Sequence, residues 1–280
     1  MNQTLFLILG LLGLAGIGSL VSGNDDDHPP EEPGDPFGGR DRIEGTEGDD
    51  TITGTDGDDA IRSFAGDDSV EPGAGDDLVF AGLGNDTVGA DAGDDEIFLG
   101  GGDDVYGGLD LGADEGADTI AGGSGNDTII TNLGTHQVSG DEGDDRIEDH
   151  GGSASIDGGD GDDLILSPDA SDPEAPDSLL GGEGNDTIHA GAGDLVDGGK
   201  GRDAIMLRSD AGGAADIVLG SADSLTITLA EDYAGPEDYE LVQDGEDVRV
   251  LLDGADIAVL RDMELRDVRD ITLLRETSGG

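Results

Sequence analysis

The sequence predicts an all-β protein: a solenoid of parallel strands, two nine-residue units to a coil, closed at its C-terminal end by a small β unit. Three observations predict it. A nonapeptide of the form G-G-x-G-x-D-x-U-x, with U aliphatic, recurs in register from Gly45 to about Met206. The Gly and Asp half of that unit disfavours helix and strand alike, which leaves a turn followed by a short strand around U. After Met206 the residues become β-branched and are punctuated by Asp-Gly pairs.

The composition sets the partners. The 280 residues carry 68 acidic against 12 basic side chains, a formal net charge of -56. Nucleic acid and anionic membrane surfaces are repelled by such a chain, and metal cations are attracted. Aromatic residues make up 3% and glycine numbers 53, so no thick apolar core can form. On composition alone the chain reads as disordered. There is no cysteine, so disulfides cannot compensate.

Residues 1–23 form an apolar segment. Its stretch Thr4–Val21 is uncharged, and as a helix at ~1.5 Å per residue it would just reach across a bilayer core of about 30 Å. "MNQ" carries no Lys or Arg and the apolar run is long for a secretory signal, so a retained membrane anchor stands ahead of a cleaved signal. Residues 24–44 are acidic and rich in Pro and read as an extended linker. The β-roll is expected over 45–206 and the C-terminal β cap over 207–280.

Units begin at Gly45, Gly54, Ser63, Pro72, Ala81, Ala90 and Leu99 without a gap. An insertion at 108–112 precedes the unit at Ala113, and units follow at Gly122, Thr131, Gly140, Asp149 and Gly158. A second, Pro-rich insertion at 167–180 precedes Gly181, then Ala190, which is one residue short, and Gly198. In "GGSGNDTII" (122–130), Gly122, Gly123 and Gly125 permit a tight turn, and Asp127 sits where the turn meets the strand. Ile129 points inward while Thr128 and Ile130 point out. Two such units close a coil, and coils stack as parallel strands ~4.8 Å apart. Each turn then lies beside the turn eighteen residues away.

Between stacked turns lie carboxylates and backbone carbonyls. Two carboxylates ~5 Å apart repel by about 0.8 kcal/mol in water and about 3 kcal/mol at an effective dielectric of 20. A divalent cation between them reverses the sign. Hard oxygen ligands in this number suit calcium, which takes six to eight of them; zinc would want His or Cys, which are scarce here. The sixth-position ligands on the edge formed by odd-numbered units are Asp50, Asp68, Asp86, Asp104, Asp127, Asp145, Asp163, Asp186 and Asp203. On the even edge they are Asp59, Asp77, Asp95 and Asp118. There the position then becomes His136 and Ala154, followed by the insertion, with Asp177 after Pro176, and the shortened unit. Adjacent pairs give about eight calcium sites on the odd edge and three on the even, roughly eleven in all. The chain is expected to be disordered without calcium and folded with it.

The frame resembles the RTX repeats, the hemolysin-type calcium-binding nonapeptides of bacterial exported proteins, over about three-fifths of the chain. The resemblance implies a right-handed parallel β-roll. It also implies export in an unfolded state through a type I channel and folding outside the cell in millimolar calcium. Such exporters read an uncleaved C-terminal signal, whereas this chain carries an N-terminal apolar segment, which fits an extracellular or cell-surface roll tethered to a membrane.

Catalytic motifs are missing. None of His28, His136, His150 and His189 belongs to an H-E-x-x-H, and no G-x-S-x-G occurs. The expected function is therefore a non-enzymatic calcium-binding structural or interaction module. An adhesin-like stalk and an enzyme with its activity in 207–280 are the alternatives, and no motif addresses a particular protein or glycan partner.

Overall fold

The computed structural model describes residues 39–89, 92–107, 116–167, 176–210, 212–231, 233–269 and 271–275. The segment Thr4–Val21, and with it the expected N-terminal helix, lies outside these residues. Among the described residues no helix is long and apolar enough to cross a membrane.

Each nonapeptide makes a turn and then a short strand. In Thr51–Thr53 the three residues are exposed, buried and exposed, so Ile52 alone faces inward. Each strand pairs in parallel with the strand two units on: Ile129 lies opposite Ile147, and Ile61 opposite Val79. Odd and even units thus enter different sheets. One sheet has thirteen strands and the other eleven, and all of the described fold is strand and turn. Between the sheets lie the inward aliphatic side chains of both, among them Ile61, Ile129, Ile147 and Ile188, each fully buried. Burying one such side chain contributes about 1.5–3 kcal/mol.

The register of inward side chains is the same on either side of each insertion. Across the first insertion Tyr106 pairs with Ile129, and across the second Ile165 pairs with Ile188. The shortened unit is accommodated too, with Leu179 opposite Val196. A slip of one residue would turn the aliphatic file out to solvent, so length changes are pushed to where the chain is already irregular.

Coil stacking reaches further than the nonapeptide frame. Asp41–Glu44 pairs with Asp59–Arg62, placing Ile43 opposite Ile61. After Met206, Ala215–Val218 and Ser224–Leu229 continue the two sheets, with Ile217 opposite Val196 and Leu225 opposite Ile205. Ile271–Arg275 adds a last parallel strand to the second sheet. Between them, Tyr239–Asp244, Asp247–Leu252 and Ala255–Leu260 form an antiparallel meander that ends the first sheet. Both Asp-Gly pairs lie at its turns; Asp253 and Gly254 take φ of 52° and 80°, as a tight hairpin requires. Arg261 joins the meander to the last coil by reaching Asp216 and Asp247 together.

Glycine is demanded where turns stack. Gly125 has φ +124°, and a Cβ there would collide with the carbonyl oxygen of Gly102 in the preceding coil. Gly48 faces nothing within 4 Å and lies outside the left-handed region. Gly125→Ala is therefore expected to destabilise the calcium-loaded roll by more than ~1 kcal/mol, while Gly48→Ala stays within about 0.5 kcal/mol. Ile129→Ala, which opens a cavity in the aliphatic file, should cost about 2–5 kcal/mol. Guanidinium denaturation in saturating calcium measures all three; equal effects of the two glycine substitutions would contradict the stacking described here.

Candidate metal centre

The sixth-position aspartates line the two edges where turns meet strands. Asp59, Asp68, Asp77, Asp86, Asp95, Asp104, Asp118, Asp127, Asp145, Asp163, Asp186 and Asp203 are buried, and Asp50 in the first turn is half-buried. Their burial follows from the repeat. The residue two before U shares the inward phase of U, so the turn carries its carboxylate under the next coil.

One oxygen of each carboxylate is used up by the backbone. On the odd edge the Asp50 N–H donates to Asp68 Oδ1 at 2.7 Å, Asp68 to Asp86 at 2.8 Å, and Asp86 to Asp104 at 2.7 Å. The ladder runs on through Asp127, Asp145, Asp163 and Asp186 to Asp203. On the even edge Asp59 donates to Asp77, Asp77 to Asp95 and Asp95 to Asp118 at 2.7, 2.8 and 3.0 Å. An exposed fifth-position ladder runs the opposite way. Asp67 N–H donates back to Asp49 Oδ1 at 3.0 Å, and Asp162 N–H to Asp144 Oδ1 at 2.9 Å.

The other oxygen is left over. The Oδ2 atoms of Asp68, Asp86, Asp104, Asp127, Asp145, Asp163, Asp186 and Asp203 are buried and accept no hydrogen bond, as is Asp77 Oδ2 on the even edge. Asp118 Oδ2 lies 3.2 Å from His136 Nδ1. In the first turn of each edge a threonine supplies the donor: Thr46 N–H and hydroxyl reach Asp50 Oδ2 at 2.6 and 2.8 Å, and Thr55 does the same for Asp59.

Beside the left-over oxygens is a gap that a side chain would fill. A Cβ on Gly122 would lie 2.5 Å from Asp127 Oδ2 and 2.6 Å from the carbonyl oxygen of Gly140 in the next coil. Gly140, Gly158 and Gly181 each have the same two neighbours from their own turn and the next. Among the described residues no three His, Cys, Asp or Glu side chains converge on one point. Side chains thus supply at most two carboxylates to a site, and turn carbonyls must supply the rest. A donor set of carboxylate and carbonyl oxygens fits calcium.

Without a cation these carboxylates resist ionisation. Burial, aided by neighbouring carboxylates and opposed by the ladder hydrogen bonds, pushes Asp104 and Asp186 up to about 6, and Asp127 and Asp163 up to about 7. Asp77, Asp86, Asp145 and Asp203 move in the same direction for the same first reason.

The columns also hold residues that the nonapeptide frame passes over. Asp223 extends the odd ladder, accepting from Asp203 N–H at 3.1 Å. On the even edge His136 is buried against Asp118, and Ala154 N–H donates to Asp177 Oδ1 at 2.7 Å. Asp177 N–H donates in turn to Asp194 Oδ1 at 3.0 Å, so both aspartates sit in register. Asp177, Asp194 and Asp223 each stand two residues before a buried Leu179, Val196 and Leu225. The Asp-x-aliphatic triplet marks them even where the glycine turn is altered.

The family model of the RTX calcium-binding nonapeptide repeat matches residues 37–70, 65–88, 71–106, 113–147, 139–167 and 174–205. No curated protein sequence matches the chain. Among solved structures it is similar to the extracellular lipase LipA from Serratia marcescens, at 18% identity and a TM-score of 0.19, over 81% of this chain and 38% of the lipase. That likeness is too low to carry an argument, and the chain spans well under half of the lipase's length. The family match covers more than half of the chain: the chain belongs to the RTX calcium-binding nonapeptide repeat family.

Proposed function

We propose that the chain is a calcium-folded structural or interaction module without enzymatic activity, working outside the cytoplasm of a bacterial cell. The observation that carries the reading is the column of buried Oδ2 atoms without donors on the odd edge. Each adjacent pair of turns there offers two carboxylates and turn carbonyls to one calcium ion. About eight such sites lie on the odd edge from Asp50 to Asp203, and three on the even edge from Asp59 to Asp118, roughly eleven ions if each pair holds one. Because the sites exist only when coils stack, binding free energy becomes folding free energy. A chain built this way stays open where calcium is scarce and closes where it is plentiful, which supports a role at the cell surface or beyond. Thr4–Val21 would tether the roll to a membrane.

Far-UV circular dichroism of the full chain tests the coupling. Excess chelator should give a random-coil spectrum, and millimolar calcium should restore β signal that magnesium does not. A strong β signal in chelator would sink the proposal. For the tether, mass spectrometry of the native protein should find the N-terminal segment in a membrane fraction; a mature N-terminus at Asn24 would mean that it is cleaved.

Acid should partly replace calcium. The raised pKa values mean that the folded calcium-free roll binds more protons than the unfolded chain, whose carboxylates titrate near 4. Their contribution is greatest below that value and is lost as pH rises toward 7. In chelator, dilute protein taken from pH 7.5 to about 4 should therefore gain β signal. An unchanged coil spectrum over that range would contradict the carboxylate account.

A further inference from the structure

The two edges part after Asp118. On the odd edge, donorless Oδ2 atoms continue from Asp127 to Asp203. On the even edge the following carboxylates, Asp149, Asp177 and Asp194, are buried as deeply, yet each accepts a hydrogen bond on both oxygens. Thr131 Oγ1 donates to Asp149 Oδ1 at 2.7 Å and Gly151 N–H to its Oδ2 at 3.1 Å. Ala154 N–H donates to Asp177 Oδ1, and the Ser167 hydroxyl to its Oδ2. Asp177 N–H donates to Asp194 Oδ1, and Gly191 N–H to its Oδ2 at 2.6 Å.

In this stretch the two edges also differ at the first position of the unit. On the odd edge Gly122, Gly140, Gly158 and Gly181 leave the gap beside Oδ2 open. On the even edge Thr131, Asp149 and Ser167 occupy the equivalent place with buried polar side chains. The space is filled and the oxygens are satisfied. Ala154, at the sixth position, offers no oxygen at all. Hydrogen bonds to a charged acceptor are the stronger kind, so a hydroxyl and a backbone N–H hold such a carboxylate well.

We propose that the even edge from Thr131 to Asp194 is an ion-free seam, in which the Thr131 and Ser167 hydroxyls and turn N–H groups take the place that calcium fills elsewhere. The proposal rests on the calcium reading above and adds what holds the even edge beyond Asp118, where protein donors satisfy Asp149, Asp177 and Asp194 in place of ions. The coils of this stretch are then clamped by cations on one edge and by protein donors on the other, and the seam holds with no calcium of its own.

Anomalous diffraction from crystals of the calcium-loaded chain reads the ions directly. Ions between the turns of Asp127, Asp145 and Asp163, with none between those of His136, Ala154 and Asp177, support the seam. Ions on both edges there overturn the seam alone. Ions on neither edge overturn the calcium reading and the seam with it. Equilibrium dialysis of variants gives a second readout in solution. Asp145→Ala should lose up to two bound ions. Thr131→Val with Ser167→Ala should leave the number of bound ions unchanged while raising the calcium concentration at the folding midpoint. A fall in bound ions in that double variant, or in Asp177→Asn, would make these residues part of an ion site and overturn the proposal.

Discussion

A buried polar atom with no hydrogen-bond partner destabilises a fold by about 1–3 kcal/mol, and more when it is charged. The roll stacks such atoms turn upon turn along its odd edge, from Asp68 to Asp203. Its core is formed by the inward residues of the two sheets, and its net charge of -56 opposes every close approach of turns. Under the function proposed above, the architecture is conditional on a positive partner. In the proposed function a divalent cation supplies it, and at Gly122, Gly140, Gly158 and Gly181 a Cβ would close the space beside the carboxylate.

The same turns explain why the fold is repetitive. Sixth-position N–H groups donate forward to the next coil, and fifth-position N–H groups donate backward to the preceding one. Each turn is thus tied to both neighbours through carboxylate acceptors, while positive-φ glycines let the carbonyls of one coil press against the next. Stability in such an array is a sum over neighbouring coils, so a length change is tolerated where it stays inside a turn. On either side of the insertions at 108–112 and 167–180 the inward pairs Tyr106–Ile129 and Ile165–Ile188 keep their register.

Much of this is legible in the sequence because the fold is periodic. The position of Ile129 in its nonapeptide gives its inward direction, and the position of Asp127 gives its place under the next turn. The sequence is less informative where the period fails. Ser224–Leu229 follows only a remnant of the turn, Gly220 and Asp223, and Ile271–Arg275 follows no glycine turn, so the nonapeptide frame does not give their parallel partners. Asp194 hides in a unit counted from its glycines, although its spacing to Val196 matches that of every other column member. The Thr131–Asp149 and Ser167–Asp177 bonds depend on which side chains face each other across a coil. A repeat frame records residue types at positions, not partners.

The position of the Asp127 and Asp145 Oδ2 atoms in a crystal structure of the calcium-loaded chain tests the central claim most directly. The account predicts each within ~2.3–2.6 Å of a calcium ion that also meets turn carbonyls. Oδ2 atoms found protonated or bonded to water in a folded roll, with no ion beside them, would contradict it.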